Sequence, residues 1–515
     1  MGVKPRIKLL AFENGIISYG LRRISSATKE VYPETTTYIY DLKFDTAKVS
    51  FNRIKKSSAN EQTIRLNEQL IQELAETDII GISCVSFFSE YAIKLIEELR
   101  KTNKQAIIVW GGIHATVFPE DAIKYADAIC IGEGEKSFLS FLKRIEAGDD
   151  YSDAKGFWIR KGDTIIKNQL LPLMTNDELE TMPFQDYGFD IKYVTHDSIE
   201  YMTKDIYVAR NGSFYLTMWS FGCPYGCAYC SNNVLINYNR DYAKVRHPSP
   251  DYIVKELVWI KKAHDYVRYV SLVDDNISVI SAEILERFSQ LWQEQVNLPM
   301  FIPGFHPSTV KKDKVAILVQ AGMKKVRMGI QSGSDKILAF YGRKTTPEKI
   351  IKASEILASF YPRINPPEYD IIIDNPLETE QDKEDTLALV RSLKRPLMIN
   401  CYSLRYFPGT KLHDYAIEHP ELEFKPYNEL FSYSYDKYMT TMVYCLSLFN
   451  LPDILYNLIR RIAKNDRLNN LSVTVFKLSY ILKRLWYELR ASNTHFLSGI
   501  SPRLTRTITY LLSKK

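Results

Sequence analysis

Cysteine is scarce in this chain of 515 residues: there are seven, at positions 84, 130, 223, 227, 230, 401 and 445. An odd number with a single cluster argues against a disulfide framework and for a reduced chain carrying a metal site. Long apolar runs are missing too. The most apolar stretch, residues 442–459, is interrupted by Asn450, Pro452 and Asp453, so no membrane span is expected. The start, MGVKPRIKLLAFENG, has no apolar core followed by a small-residue cleavage site, and Arg6 stands where a myristoylation signal needs Ser or Thr. The expected location is cytoplasmic. Acids are nearly absent from one region: residues 454–515 hold twelve Lys/Arg but only Asp466 and Glu488, in a chain whose net charge is +6. Two readings are open for it, a solvated helical face or a surface for an anionic substrate, peptide or lipid headgroup. Internal repeats and low-complexity tracts are also lacking.

What is present is a regular alternation. A chain of this length suggests about two to four domains. Residues 1–150 contain short apolar runs, IKLLAF (7–12), TTYIYDL (36–42), DIIGISCV (78–85), AIIVWGG (106–112) and DAICIGEG (127–134), each too short for a helix. Amphipathic stretches separate them; in EYAIKLIEELRKTN (90–103), Ile93, Ile96 and Leu99 share a face. The expectation is α/β, a doubly wound parallel sheet that binds its ligand at the carboxyl ends of its strands. Those ends carry Ser83, Ser86, Gly111, Gly112, Gly132, Glu133 and Gly134, where glycine lets a flat or phosphorylated ligand approach the backbone. Residues 151–212 read as a connector with a short hairpin near 157–167. Six further strands with intervening helices follow: YLTMWS (215–220), YVSLVDD (269–275), MFIPGF (300–305), KVRMGIQS (325–332), YDIIID (369–374) and INCYSLRYF (399–407). They suggest a partial (β/α)6 barrel over residues 213–410, with chemistry at the strands' carboxyl ends. Residues 411–515 are helical by pattern. FKLSYILKRLWYELR (476–490) is basic and amphipathic, suited to packing on the barrel, contacting substrate or lying on a membrane surface.

Directly after the first barrel strand stands SFGCPYGCAYCSNN (220–233). Three thiolates in a compact loop suit one metal centre. Structural zinc normally takes four protein ligands, and the nearest downstream histidine, His247, is distant in sequence. A four-iron cluster on Cys223, Cys227 and Cys230 would leave one iron open for a substrate. Gly222 and Gly226 would let the loop wrap a cluster, and Pro224 would stiffen it.

The C-x3-C-x2-C spacing, with Tyr229 before the last cysteine, resembles the radical S-adenosylmethionine (SAM) superfamily. The resemblance implies a [4Fe-4S] cluster on the three cysteines. Its open iron chelates SAM, and one-electron reduction yields a 5′-deoxyadenosyl radical. It also implies a donor such as flavodoxin or ferredoxin. VDDN (273–276) resembles the segment that meets the methionyl amino group, making Asp274 and Asp275 candidates; the plainer alternative is a helix cap. GIQSGSDKIL (329–338) resembles an element whose Gln331 and Ser332 would reach ribose or carboxylate, or would simply be turn residues. The family's fifth-strand glycine-proline-glycine-glutamate is replaced by Asp374-Asn375-Pro376-Leu377-Glu378, and YFPGTKL (406–412) matches the element after the sixth strand.

GGIHAT (111–116) and IGEGEKSF (131–138) ahead of such a barrel resemble the cobalamin-binding members of that superfamily, and specifically its methyltransferase-like (class B) members. There the corrinoid lies across the strand ends. The frequent D-x-H-x-x-G is absent; FENGIISYG (12–20) follows the first strand, and His114 is the only histidine in residues 1–150. The resemblance implies a cobalamin-dependent C-methyltransferase acting on an unactivated carbon of a small molecule, peptide or lipid. Cyclisation, ring contraction or epimerisation without methyl transfer is the alternative, and a non-catalytic cobalamin sensor is a third reading. Methylthio transfer is disfavoured, since only Cys84 and Cys130 precede the triplet. Peripheral membrane contact through the basic helices is compatible; no nucleic-acid partner is expected.

Overall fold

The structure, a computed structural model, describes residues 4–42, 64–427, 436–491, 493–495, 497 and 501–513. It divides into two compact units, Met1–Asn211 and Gly212–Lys515.

The first unit is built on β1 (Ile7–Glu13), β2 (Thr36–Asp41), β3 (Ile79–Cys84), β4 (Ile107–Gly111) and β5 (Ala128–Cys130). Their spatial order is β5-β4-β3-β1-β2, all parallel, so the order reverses between β1 and β3. These strands are apolar almost throughout because both faces are covered. Alternation sends Leu10, Phe12, Ile80, Ile82, Ile108 and Trp110 under helices Glu68–Ala75 and Ser89–Thr102. Leu9, Ala11, Ile79 and Val109 go to the other face, under Tyr19–Val31 and Gly134–Ala147. In Ser89–Thr102 the buried stripe runs through Ala92, Leu95, Ile96 and Leu99, and Ile93 lies half-buried at its margin.

The expected connector is part of this sheet. The hairpin of β6 (Phe157–Lys161) and β7 (Thr164–Lys167) pairs antiparallel with β5 at one edge. At the other edge β8 (Lys192–Val194) pairs parallel with β2 and turns back as β9 (Ile199–Tyr201). Three-residue strands are too short to show a period, so β8 and β9 leave no sequence pattern.

The second unit holds β10 (Phe214–Thr217), β11 (Tyr269–Leu272), β12 (Met300–Phe305), β13 (Met323–Gln331), β14 (Glu368–Ile372) and β15 (Met398–Tyr402), parallel and in chain order. Helices connect every pair. This is the open (β/α)6 sheet expected of a partial barrel. All six strands fall on the expected runs, but β10 ends at Thr217, because the Trp219 and Ser220 amides turn to Asp274 instead of a neighbouring strand.

Past the sheet come helices Lys437–Leu448, Asp453–Ala463, Asp466–Arg490 and Pro502–Ser513. The apolar stretch 442–459 is divided between the first two of these. The first, Lys437–Leu448, buries Met439, Met442, Val443 and Cys445 and is separated from the next helix by Pro452. Among the described residues no helix is long and apolar enough to cross a membrane. Asp466–Arg490 packs on the amino-terminal end of the sheet. Lys325, near the start of β13, pairs with Glu368 at 3.0 Å and with Glu488 of the long helix, all three buried. Tyr480 donates to the Asn400 side chain at 3.1 Å, and Arg484 to the same oxygen at 3.2 Å. Lys483 donates to the carbonyls of Leu397 and Ser447. Two of the cations that charge counting offered to an anionic ligand, Lys483 and Arg484, are therefore spent on the protein itself.

Candidate active site and cofactor cradle

The cysteine loop leaves the carboxyl end of β10 and is held from several sides. Asp274, just past β11, accepts from Trp219 N at 2.9 Å, Ser220 N at 2.8 Å and Ser220 Oγ at 2.5 Å. Trp219 stacks on Phe288 and donates Nε1 to the Pro248 carbonyl. Phe221 exchanges both backbone hydrogen bonds with Arg246, and Cys223 N donates to Tyr242 O. Gly222 makes the turn at φ +99; a Cβ there would stand 2.5 Å from the Lys244 carbonyl oxygen, so only glycine fits. Gly226 does not take a positive φ. Its role is packing, since the Asn233 amide donates to its carbonyl and lies 3.2 Å from where a Cβ would be. Ala228 N donates to Tyr341 O and Ala228 O accepts from Leu412 N, tying the loop to residues beyond β13 and β15. Thr410 of the P-G-T element caps the helix Lys411–Glu418 that follows.

Cys227 is buried, Cys223 and Cys230 half-buried, and all three are free. Cys230 is also the N-cap of the helix Ser231–Tyr238, where a thiolate is favoured by the helix dipole. Burial pushes the Cys223 and Cys230 thiols up to about 11 and about 12, each thiol also feeling its neighbours' charge. Among the described residues no three His, Cys, Asp or Glu side chains are gathered for a single metal ion. Three thiols on one loop suit a multi-iron cluster better than zinc, which normally takes four protein ligands. His247, the distant zinc candidate, bonds the Pro248 carbonyl and packs on Trp219.

Buried polar atoms without a partner gather at these strand ends: Asn276 Nδ2 after β11, His306 Nε2 after β12, Arg343 Nε after β13, and both Glu378 oxygens after β14. Such atoms call for a polar ligand. A molecule with ammonium, carboxylate and ribose groups, as SAM has, would supply partners of the kind they lack. His306 stacks on Tyr225 at 3.8 Å, and burial, with Arg343 and Lys349 nearby, holds its imidazole down at about 3. Burial pushes Glu378 up to about 8. Arg343 reaches Gly329 O, Tyr229 Oη at 3.4 Å and Cys227 Sγ at 3.7 Å.

The expected SAM contacts divide. Asp274 is fully buried and its carboxylate is taken up by the loop, so it braces the cluster segment; burial pushes it up to about 6. Asp275, raised by burial, interacts with Asn232. Gln331 has φ +68 at a register shift in β13, and its amide folds back over Gly329. Ser332 is buried against Thr386. Tyr229 packs edge-on against Tyr341 at 5.2 Å. Asn276 closes the VDDN motif, whereas Arg343 and His306 carry no motif in the sequence. Their only signal is position, one to three residues past a strand or helix end.

In the first unit, Gly111 and Gly112 end β4. Gly112 has φ +83, and a Cβ there would lie 2.7 Å from Ser83 Oγ and 3.2 Å from the Cys84 backbone. Gly132 N donates to Thr116 Oγ1. Ser86 is buried and its carbonyl accepts from Ser89. Gly134 opens its helix against Ile24, and the Glu133 carboxylate turns to Met174 N. The strand ends beside the β1/β3 reversal thus form a bare backbone cradle, which fits a broad planar ligand such as a corrin. The segment after β1 is braced from below. Asp41 accepts from Gly15 N, and Arg22 donates to the carbonyls of Ile16 and Ile17. Burial pushes Glu13 up to about 7, with Ser18 and Arg22 pulling the other way. His114 is fully buried between Trp110 and Phe118, and His196, beyond β8, bonds Tyr40 Oη.

Comparison with known proteins identifies two domains. Residues 218–390 match the family model of the radical SAM superfamily, and residues 57–142 that of the B12 binding domain. An uncharacterized methyltransferase of Pyrococcus horikoshii is 23% identical over 345 residues, 66% of this chain and 70% of that protein. The anaerobic magnesium-protoporphyrin IX monomethyl ester cyclase of Rubrivivax gelatinosus is 23% identical over 372 residues, 70% of this chain and 63% of that one. Among solved structures, the radical SAM methyltransferase TsrM of Kitasatospora setae, with cobalamin and a [4Fe-4S] cluster bound, superposes with a TM-score of 0.60 at 15% identity, covering 81% of this chain and 75% of that one. The cobalamin-dependent radical enzyme OxsB superposes with a TM-score of 0.62 at 14% identity, covering 99% and 79%. The cofactors are accordingly a [4Fe-4S] cluster, SAM and cobalamin. The chain belongs to the radical SAM superfamily, among the members that carry a B12-binding domain ahead of the radical SAM domain.

Proposed function

We propose that the protein is a cobalamin-dependent radical SAM C-methyltransferase, acting on an unactivated carbon of a small molecule, peptide or lipid. The observation that carries this reading is the segment after β1. The place where many cobalamin domains offer a histidine to cobalt is filled by the braced turn of residues 13–18, and His114 is sealed beneath Trp110. The absence of the D-x-H-x-x-G histidine is compatible with the resemblance to the methyl-transferring members, many of which lack that motif. When bound, the cluster with SAM supplies a 5′-deoxyadenosyl radical and cobalamin a carried methyl group.

The chain's own residues bind, orient and hold protons. Cys223, Cys227 and Cys230 would ligate the cluster. Asp274 fixes their loop by accepting three hydrogen bonds. Asp275, Gln331 and Ser332 stand at the strand ends where SAM's polar groups would be met. Glu378, its carboxyl pushed up to about 8 by burial, can donate one hydrogen bond when protonated as well as accept. Ser83, Ser86, Gly111, Gly112, Gly132 and Gly134 would face the corrin. A small low-potential protein such as flavodoxin or ferredoxin would deliver the electron.

The test is anaerobic turnover of the fully loaded enzyme with candidate substrates, following S-adenosylhomocysteine, 5′-deoxyadenosine and product mass. Methylation requires both SAM products and a substrate heavier by one CH2. The cyclase relative supports a second reading, cyclisation or rearrangement. It would show 5′-deoxyadenosine without S-adenosylhomocysteine and a product with no added carbon.

A further inference from the structure

The helix Asp466–Arg490 has its polarity reversed. Over 25 residues, about 37 Å, the side turned to the barrel is polar. Asn469 accepts from Thr441, Tyr480 donates to Asn400, and Glu488 pairs with Lys325, all buried. The side turned outward is a single apolar row: Leu468, Leu471, Val475, Leu478, Leu482 and Trp486, exposed by 53, 70, 50, 57, 67 and 68%. Their spacing of three and four residues keeps the row on one face for the whole helix. The preceding helix, Asp453–Ala463, packs against it and presents Ile454 at 83% exposure. A helix that only capped the barrel would bury this row and expose its polar side. An apolar surface of this extent marks something that covers it.

Charge identifies the cover. Residues 454–515 hold twelve Lys/Arg and two acids, and one of those, Glu488, is buried on Lys325. Arg461, Lys464, Arg490, Arg503 and Arg506 are exposed. Apolar side chains flanked by cations, with a tryptophan among them, are the chemistry of a helix lying in the headgroup region of an anionic bilayer. Self-pairing of the row is disfavoured. A coiled coil is registered by opposite charges beside the seam, whereas Ser472, Thr474 and Ser479 stand there, and two copies would bring two strongly basic segments together.

We propose that the C-terminal helices form a peripheral docking surface for an anionic lipid membrane, the apolar row of Asp466–Arg490 entering the interface and the surrounding arginines and lysines meeting lipid headgroups. This does not depend on which reaction the enzyme performs.

The test is sedimentation of the full chain with sucrose-loaded vesicles, either of phosphatidylcholine alone or with about one-third phosphatidylserine. Binding is expected to the anionic vesicles, falling as salt rises. L482S/W486S should weaken it roughly tenfold or more, since both side chains leave the interface. R461Q/R490Q/R503Q should abolish the preference for phosphatidylserine. These side chains are exposed, so unchanged melting temperatures are the folding control. Three results overturn the proposal: no sedimentation above the vesicle-free control, binding that L482S/W486S leaves unchanged, or a solution dimer that L482S/W486S converts to monomer with no vesicle binding, which would assign the row to a second copy.

Discussion

Asp274 shows how a single side chain can be mistaken for a ligand contact. Its place, two residues past β11 in VDDN, made it a candidate for the methionyl amino group. Its three hydrogen bonds go instead to Trp219 and Ser220. In D274A two buried amides would lose their acceptor, at about 1–3 kcal/mol each. We expect anaerobically reconstituted D274A to carry clearly less iron per chain than the wild type while retaining cobalamin, read by iron assay and corrinoid absorbance. Full iron with weakened SAM binding would return the residue to the role of a SAM contact. The cysteine triplet stands out in the sequence because three thiols so closely spaced suit little besides a metal cluster. Arg343 was not, although it reaches Cys227 and Tyr229, because a lone arginine after a short helix usually marks a solvated turn. Glu133 misled in the opposite sense: the GEGE stretch drew attention to its carboxylate, but the backbone glycines form the cradle.

Among the elements, β1 to β5, the hairpin β6–β7 and β10 to β15 all fall on runs that the sequence pattern marks, because buried parallel strands are short apolar runs bounded by glycine and polar residues. The edge strands β8 and β9 escaped notice for want of length. The long C-terminal helix was legible as a helix, yet its orientation was not. An amphipathic pattern says which residues share a face and leaves open which face is turned inward. Here the polar face is, drawn by Lys325, Glu368 and Asn400 at the amino-terminal end of the sheet. Removing the cation of that network in K325M would leave Glu368 and Glu488 buried together. The expected loss is about 3–5 kcal/mol, seen as a lower melting temperature of the full chain. A variant that melts with the wild type would mean that the network contributes nothing net to stability.

For the whole molecule, the two units carry separate ligand chemistries. C223A/C227A/C230A is expected to lose the iron–sulfur absorbance and SAM cleavage altogether, and to bind cobalamin as the wild type does, measured by gel filtration with free corrinoid. Loss of both would show that the first unit's cradle depends on the second unit's cluster. The buried thiols Cys84 and Cys130, pushed up to about 12 by burial, supply no second cluster site in the first unit. Methylthio transfer, which the cysteine count already disfavours, gains no support from them.

The family model of the radical SAM superfamily stops at residue 390, before β15 and all the C-terminal helices. The ion pairs beneath the sheet make that boundary misleading for protein engineering. A catalytic fragment trimmed to the matched segment would have no floor: Lys325 and Glu368 would open to water, and β14 would become a bare edge. The smallest separable piece that keeps the cluster loop must run from β10 through the end of Asp466–Arg490, so the part with the least familiar sequence is needed to hold the most familiar part together.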